Sequence, residues 1–114
     1  MRIGIDIIEN KRLAKILKYN NQKIFTTEEK AYCTKFKNSL EHFAGTWCVK
    51  EAVSKATECK ITIADIEILH NENNIPYVKI NNIINKYLEK NKLTKINISI
   101  SHEKKYSTAI CIIE

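Results

Sequence analysis

The sequence predicts a small single α+β domain, a mainly antiparallel sheet packed against one long central helix, and three observations predict it. Isoleucines alternate with other residues near both ends of the chain, at Ile3, Ile5 and Ile7 and again at Ile96, Ile98 and Ile100, which is the period of a strand. Between them, Leu40 to about Thr57 repeats its apolar residues with the period of a helix. The 114 residues, 44% hydrophobic and 28% charged, suffice for one core and no more.

Each element has its own local reason. The first strand presents one continuous isoleucine face, so Asp6 points to the other, where Gly4 lets a ligand or another backbone come close. From Glu9 the period changes to that of a helix reaching Tyr19, with Leu13, Ile16 and Leu17 inward and Lys11, Arg12, Lys15 and Lys18 making a basic outer surface. Asn20, Asn21 and Gln22 read as a turn. Thr26 and Glu29 form a T-x-x-E capping box for a helix expected to reach about Phe36.

The central helix follows, with Gly45 inside it at a cost of about 1 kcal/mol relative to alanine, a mark of close packing or ligand approach. Ile61 to Leu69 reads as one strand, and Pro76 opens a second at Tyr77 to Ile80. Asn81 or Asn82 caps a helix ending near Lys90, whose inner face is Ile83, Ile84, Tyr87 and Leu88. A hairpin closes the chain, with His102 at the end of one arm and Ser107 to Ile113 as the other.

Nineteen Lys and Arg against thirteen Asp and Glu leave a net charge of +6, which favours an acidic partner without choosing among them. Nucleic acid is one candidate, but the five tyrosines are scattered and do not interleave with the basic residues. No apolar run is long enough to span a membrane, and the start lacks a signal peptide, so a cytoplasmic location is expected. Cys33, Cys48, Cys59 and Cys111 have no C-x-x-C pair or zinc spacing and read as reduced, largely buried thiols.

The chemistry concentrates where charges interrupt the central helix. Glu51 and Lys55 fall within about 60° of Leu40 on the helical wheel, inside a sector that also holds Ala44, Trp47 and Cys48. An unpaired carboxylate there is costly. It is compensated either by an i,i+4 pair with Lys55 or by a metal ion whose bound anion Lys55 contacts. Asp6 and Glu51 are oxygen ligands of the kind Mg²⁺ takes. Two carboxylates about 4 Å apart repel by about 4 kcal/mol at an effective dielectric near 20, a cost that a divalent ion between them reverses. With only Gly4 and Gly45 in the chain, a glycine-rich phosphate loop is excluded.

Three segments together carry a resemblance. Gly4 to Arg12 (G-I-D-I-I-E-N-K-R), Phe43-Ala44-Gly45 leading to Lys50-Glu51-Ala52-Val53-Ser54-Lys55-Ala56, and Ile98-Ser99-Ile100-Ser101-His102 resemble, in order and spacing, the motifs of the holo-acyl-carrier-protein synthases, the 4′-phosphopantetheinyl transferases. The resemblance implies transfer of 4′-phosphopantetheine from coenzyme A to a serine of an acidic acyl carrier protein in fatty acid biosynthesis. It implies Asp6 and Glu51 as Mg²⁺ ligands, and Glu51, Lys55 and Asp6 as the catalytic set. Coenzyme A contacts are expected from Lys55, His102, Ser54 and Lys50, and carrier-protein contacts from Arg12 with Lys11, Lys15 and Lys18. A homotrimer with sites between subunits is implied as well. Thr46 stands where the family usually has an arginine toward coenzyme A phosphate, and glycines common after K-A and before P-Y are replaced here by Thr57 to Lys60 and Asn73-Asn74-Ile75.

Overall fold

The computed structural model describes residues 1–19 and 24–114. The turn expected at Asn20, Asn21 and Gln22 lies outside the described residues. In chain order the elements are β1 (Arg2–Glu9), α1 (Asn10–Tyr19), α2 (Thr27–Cys33), α3 (Ser39–Ala56), β2 (Ile68–His70), β3 (Pro76–Val78), α4 (Asn82–Lys90), β4 (Ile96–His102) and β5 (Tyr106–Ile113). β1, β5 and β4 form an antiparallel sheet with β5 in the middle, and β2 pairs with β3 in a separate antiparallel ribbon. The expected α+β architecture, a sheet against a long helix, is the one observed.

The sheet's register decides which residues meet α3. Gly4 pairs with Cys111, Asp6 with Ala109 and Ile8 with Ser107, and all of these share the face turned to the helix. Contact there is backbone to backbone. A Cβ on Gly4 would sit 1.8 Å from the Ala52 carbonyl oxygen and 2.8 Å from the Ala56 nitrogen, so only glycine allows β1 to lie this close. Gly45 plays a milder part, since a Cβ there would meet a methyl of Ile100 on β4 at 2.9 Å. The isoleucine stripe of β1 consequently turns outward, with Ile3 57%, Ile5 62% and Ile7 67% exposed beside Ile110 of β5.

α3 is enclosed on most of its circumference, by the sheet on one side and by α1, α2 and the β2–β3 ribbon on others. Cys48, Val49, Lys50, Ala52, Val53 and Ala56 are all buried, whereas Leu40, Trp47, Glu51 and Lys55 lie on the more open side. Of the apolar sector inferred for Glu51, Ala44 and Cys48 belong to the core, while Leu40, Trp47 and Glu51 itself lie where the sector opens toward the surface. The capping box at Thr26 and Glu29 forms as expected, but α2 ends at Cys33, short of Phe36.

Other local expectations change for identifiable reasons. Residues 61–69 do not make one strand, because a second capping box, Thr62 with Asp65, turns Ile63–Asp65 into a single 3₁₀ turn and leaves only Ile68–His70 extended. β3 stops at Val78. Asn81 is the α4 cap, its side chain accepting from the Ile84 amide at 2.9 Å, yet Ile83 is 49% exposed and not on the inner face. Three of the four thiols are buried, and Cys59 is exposed.

Candidate active site

The site is set by β1 crossing α3 at Gly4. That crossing carries Asp6, two residues on, to the helix turn that bears Glu51 and Lys55. The Lys55 ammonium donates to Asp6 Oδ1 at 2.9 Å and to the Ile5 carbonyl at 3.1 Å. Lys55 thus pairs across elements with Asp6 and not simply along its own helix with Glu51. Asp6 and Glu51 line one cavity of about 210 Å³, walled by Trp47 and Ile16 and overhung by Arg12 of α1. Beneath them the Cys48 thiol donates to the Ser107 carbonyl at 3.3 Å and is pushed up to about 12, by burial first and then by the charge of Asp6, so it stays protonated.

The electrostatics of the pair follow from this crowding. Glu51 binds its proton more tightly than an ordinary glutamate, first because it is partly desolvated and then because the Asp6 charge is close; Lys55 offsets only part of this. The Lys55 ammonium in turn is held more firmly protonated, chiefly by its hydrogen bond to Asp6. Two neighbouring carboxylates, Asp6 held by Lys55 and both in the cavity that Arg12 lines, are oxygen donors of the kind a divalent cation takes. Among the described residues no cluster of three or more His, Cys, Asp or Glu side chains converges. Two carboxylates alone suit Mg²⁺, which usually keeps waters and takes substrate phosphate oxygens as further ligands. The donor set therefore fits that ion.

The other expected contacts divide. Lys11, Arg12, Lys15 and Lys18 are all exposed on α1, and Arg12 among them lines the cavity. Ser54 is half-buried, and its carbonyl accepts from the Cys59 amide at 2.8 Å. Lys50 is not brought to the site. It is 1% exposed, donates to Glu29 Oε1 and to the Ile24 carbonyl at 2.6 Å each, and holds α2 to α3 as a buried ion pair. The K-E dipeptide concealed this because adjacent helical residues lie about 100° apart, so Glu51 and Lys50 face different neighbours.

His102 also lies apart from Asp6 within one chain. It lines a second cavity, of about 310 Å³, between the first half of α3 and β4, together with His42, Thr46 and His70. Its Nδ1 meets Glu41 Oε2 at 3.2 Å. The Thr46 hydroxyl donates to the His42 carbonyl at 3.0 Å. Sequence reasoning missed Asn10, which is 2% exposed and fixes the turn after His102. Its amide donates to the Lys105 carbonyl at 2.7 Å, its Nδ2 donates to the Glu103 and Lys104 carbonyls, and its Oδ1 accepts from Ser107 at 2.7 Å. A polar residue at the first position of a helix was the available signal.

A sheet-and-helix domain holding two acids and a lysine in a cleft is a scaffold for phosphoryl-group chemistry, and comparison with known proteins says which kind. Residues 2–111 match the 4′-phosphopantetheinyl transferase superfamily, and the chain belongs to it. It is similar to the holo-[acyl-carrier-protein] synthase of Fusobacterium nucleatum, 38% identical over 97% of this chain and 96% of that protein, and to that of Protochlamydia amoebophila, 39% identical over 96% and 94%. Among solved structures it resembles the holo-[acyl-carrier-protein] synthase of Neisseria meningitidis, with TM-score 0.85, 26% identity and coverage of 99% and 97%. It also resembles the Helicobacter pylori enzyme in complex with coenzyme A, with TM-score 0.80, 26% identity and coverage of 98% and 99%.

Proposed function

We propose that this chain transfers the 4′-phosphopantetheine group of coenzyme A to a serine of apo-acyl carrier protein, dependent on Mg²⁺ and releasing adenosine 3′,5′-bisphosphate, in support of fatty acid biosynthesis. The observation that carries the reading is the convergence of Asp6, Glu51 and Lys55 at the β1–α3 crossing. Asp6 and Glu51 would hold the ion, which when bound supplies positive charge to the pyrophosphate. Lys55 neutralises charge that builds on the phosphate oxygens as the bond to the leaving bisphosphate breaks. The serine oxygen forms the new bond to the phosphorus that carries pantetheine. Glu51, or a water that it orients, is the group at hand to take the serine proton.

The exposed basic side chains of α1, Lys11, Arg12, Lys15 and Lys18, form a surface suited to steering an acidic carrier protein toward the cavity that Arg12 overhangs. The outer face of the sheet suits the expected homotrimer. Ile3, Ile5, Ile7 and Ile110 present adjacent exposed apolar side chains of a kind usually covered by another chain. His102 lies in a cavity separate from Asp6, in keeping with a site completed between subunits. Light scattering on Ile5→Lys checks this, with loss of the trimer expected and an unchanged mass against it. Among the described residues no helix is long and apolar enough to cross a membrane. Together with three buried, unpaired thiols this favours a cytoplasmic reaction.

Mass spectrometry of apo-acyl carrier protein incubated with this protein, coenzyme A and Mg²⁺ tests the activity. A gain of one phosphopantetheine is expected. An unmodified carrier protein, beside a control enzyme that modifies it, would overturn the proposal.

A further inference from the structure

The start of α1 is locked to the turn between β4 and β5 by one buried side chain. Asn10 has both ends of its amide engaged there, Nδ2 donating to the Glu103 and Lys104 carbonyls at 2.8 and 3.0 Å and Oδ1 accepting from the Ser107 hydroxyl at 2.7 Å, while its backbone amide donates to the Lys105 carbonyl at 2.7 Å. Losing any of these partners would leave a buried polar atom unpaired, so the arrangement is fixed. The lock brings charge together. Lys104 and Lys105 are exposed on the turn, a hydrogen bond away from the helix on which Lys11, Arg12, Lys15 and Lys18 are exposed. Segments 9–19 and 102–106 hold six of the nineteen basic residues of the chain and only two of its thirteen acids. Of those two, Glu103 is folded onto the Lys105 and Tyr106 amides at 2.8 Å each, and Glu9 follows Ile3, Ile5 and Ile7 in the alternation of β1, on the outer face of the sheet. Most of the net charge of +6 therefore sits in these two segments. They also flank the Asp6 and Glu51 cavity, since Arg12 and Ile8 line it and Ile8 pairs with Ser107, two residues beyond Lys105.

We propose that the β4–β5 turn is a second element of the carrier-protein surface, with Lys104 and Lys105 receiving the acidic partner together with α1 and Asn10 as the positioning residue that holds the turn against the helix. The inference rests on the transferase reading and extends its basic surface to a distant part of the chain. Exposed charges at the edge of an interface act mainly on the rate of encounter and on its salt dependence. Two lysines beside the cavity mouth would draw an acidic domain toward the place where its serine must enter. A turn free to move would spread the same charges over many positions, which is why the buried amide matters.

Steady-state transfer with Mg²⁺ present, carrier protein and coenzyme A being varied separately, tests this on the double variant Lys104→Glu, Lys105→Glu. Its kcat/KM for carrier protein should fall about tenfold near 0.1 M salt, and the gap to the parent should close to about twofold near 1 M, where charges are screened over about 3 Å. The KM for coenzyme A and kcat at saturating carrier protein should not change. Lys86→Glu with Lys90→Glu makes the same change of charge on α4, whose end meets Arg2 at the other end of β1 through Asn91, and should cost less than about twofold. In an Asn10→Ala background the effect of the turn lysines should shrink to about threefold, a coupling that a loss of stability alone would not produce. An unchanged carrier-protein kcat/KM in the turn variant, a loss matched by the α4 variant, or a change confined to the coenzyme A KM would overturn the inference and leave the transferase reading intact. A lysine effect just as large without the Asn10 side chain would overturn the positioning role. No transfer by the parent protein would overturn both the inference and the reading beneath it.

Discussion

Gly4→Ala is the perturbation that most directly probes how the site is built. The added Cβ would lie 1.8 Å from the Ala52 carbonyl oxygen and 2.8 Å from both the Ala52 carbonyl carbon and the Ala56 nitrogen, all backbone atoms of a buried helix that cannot rotate aside. Restoring ordinary contact requires β1 to lift from α3 by about 1.5 Å. Overpacking against side chains costs about 1–3 kcal/mol, so a clash with main chain should cost about 3 kcal/mol or more. In urea, with a slope of about 1–1.5 kcal/mol per molar, the midpoint should fall by about 2 M or more. The same lift draws Asp6 away from Glu51 and Lys55, and a displacement near 1 Å at reacting groups costs on the order of 10²-fold in rate. Gly45→Ala is the control, because its Cβ crowds a side-chain methyl of Ile100 at 2.9 Å and meets the His102 ring at an ordinary 3.9 Å, while removing a mid-helix glycine regains about 1 kcal/mol. Its stability should stay within about 1 kcal/mol of the parent. A Gly4→Ala protein with an unchanged urea midpoint and full transfer rate would refute this account of the crossing.

Lys55→Ala should lower transfer by about 10²–10³-fold while changing stability by less than about 1 kcal/mol, since its pair with Asp6 lies at the surface; single-turnover rates and urea melts check both halves. Lys50→Met should do the reverse. It leaves Glu29 buried without its cation, costs about 3–5 kcal/mol by denaturant titration, and leaves the coenzyme A Kd of the folded fraction unchanged. Glu51→Gln should abolish transfer yet stabilise the metal-free protein at neutral pH. Its folded-state carboxyl is less acidic than the unfolded one, so the ionised form opposes folding, and that penalty builds as pH rises from the ordinary carboxylate value through the raised one. Urea midpoints of the two proteins should therefore differ at pH 7 and converge below the ordinary carboxylate range.

Much of this was legible in the chain itself, for reasons particular residues make plain. Gly4 beside Asp6 announced a close approach, and the approaching group proved to be the α3 backbone. Thr26 with Glu29 and Asn81 before α4 marked helix starts through local hydrogen bonds that depend on only a few residues. Failures came where a distant element decides the outcome. The Ile3, Ile5 and Ile7 stripe does not say which face of β1 is covered, and it is the side of Gly4, Asp6 and Ile8 that the helix approaches. Lys50 resembled a ligand contact until Glu29, 21 residues earlier, came to lie beneath it. The gathering of His42, His70 and His102 depends on three separate elements, and no spacing in the sequence encodes it.

Calorimetry of coenzyme A binding with and without Mg²⁺, on the parent protein and on Asp6→Asn, bears most directly on the two-carboxylate site. The account predicts binding that tightens with Mg²⁺ in the parent and loses that response in the variant, with the fold retained by circular dichroism. Equal strengthening by Mg²⁺ in both proteins would show that the ion is held elsewhere and contradict it.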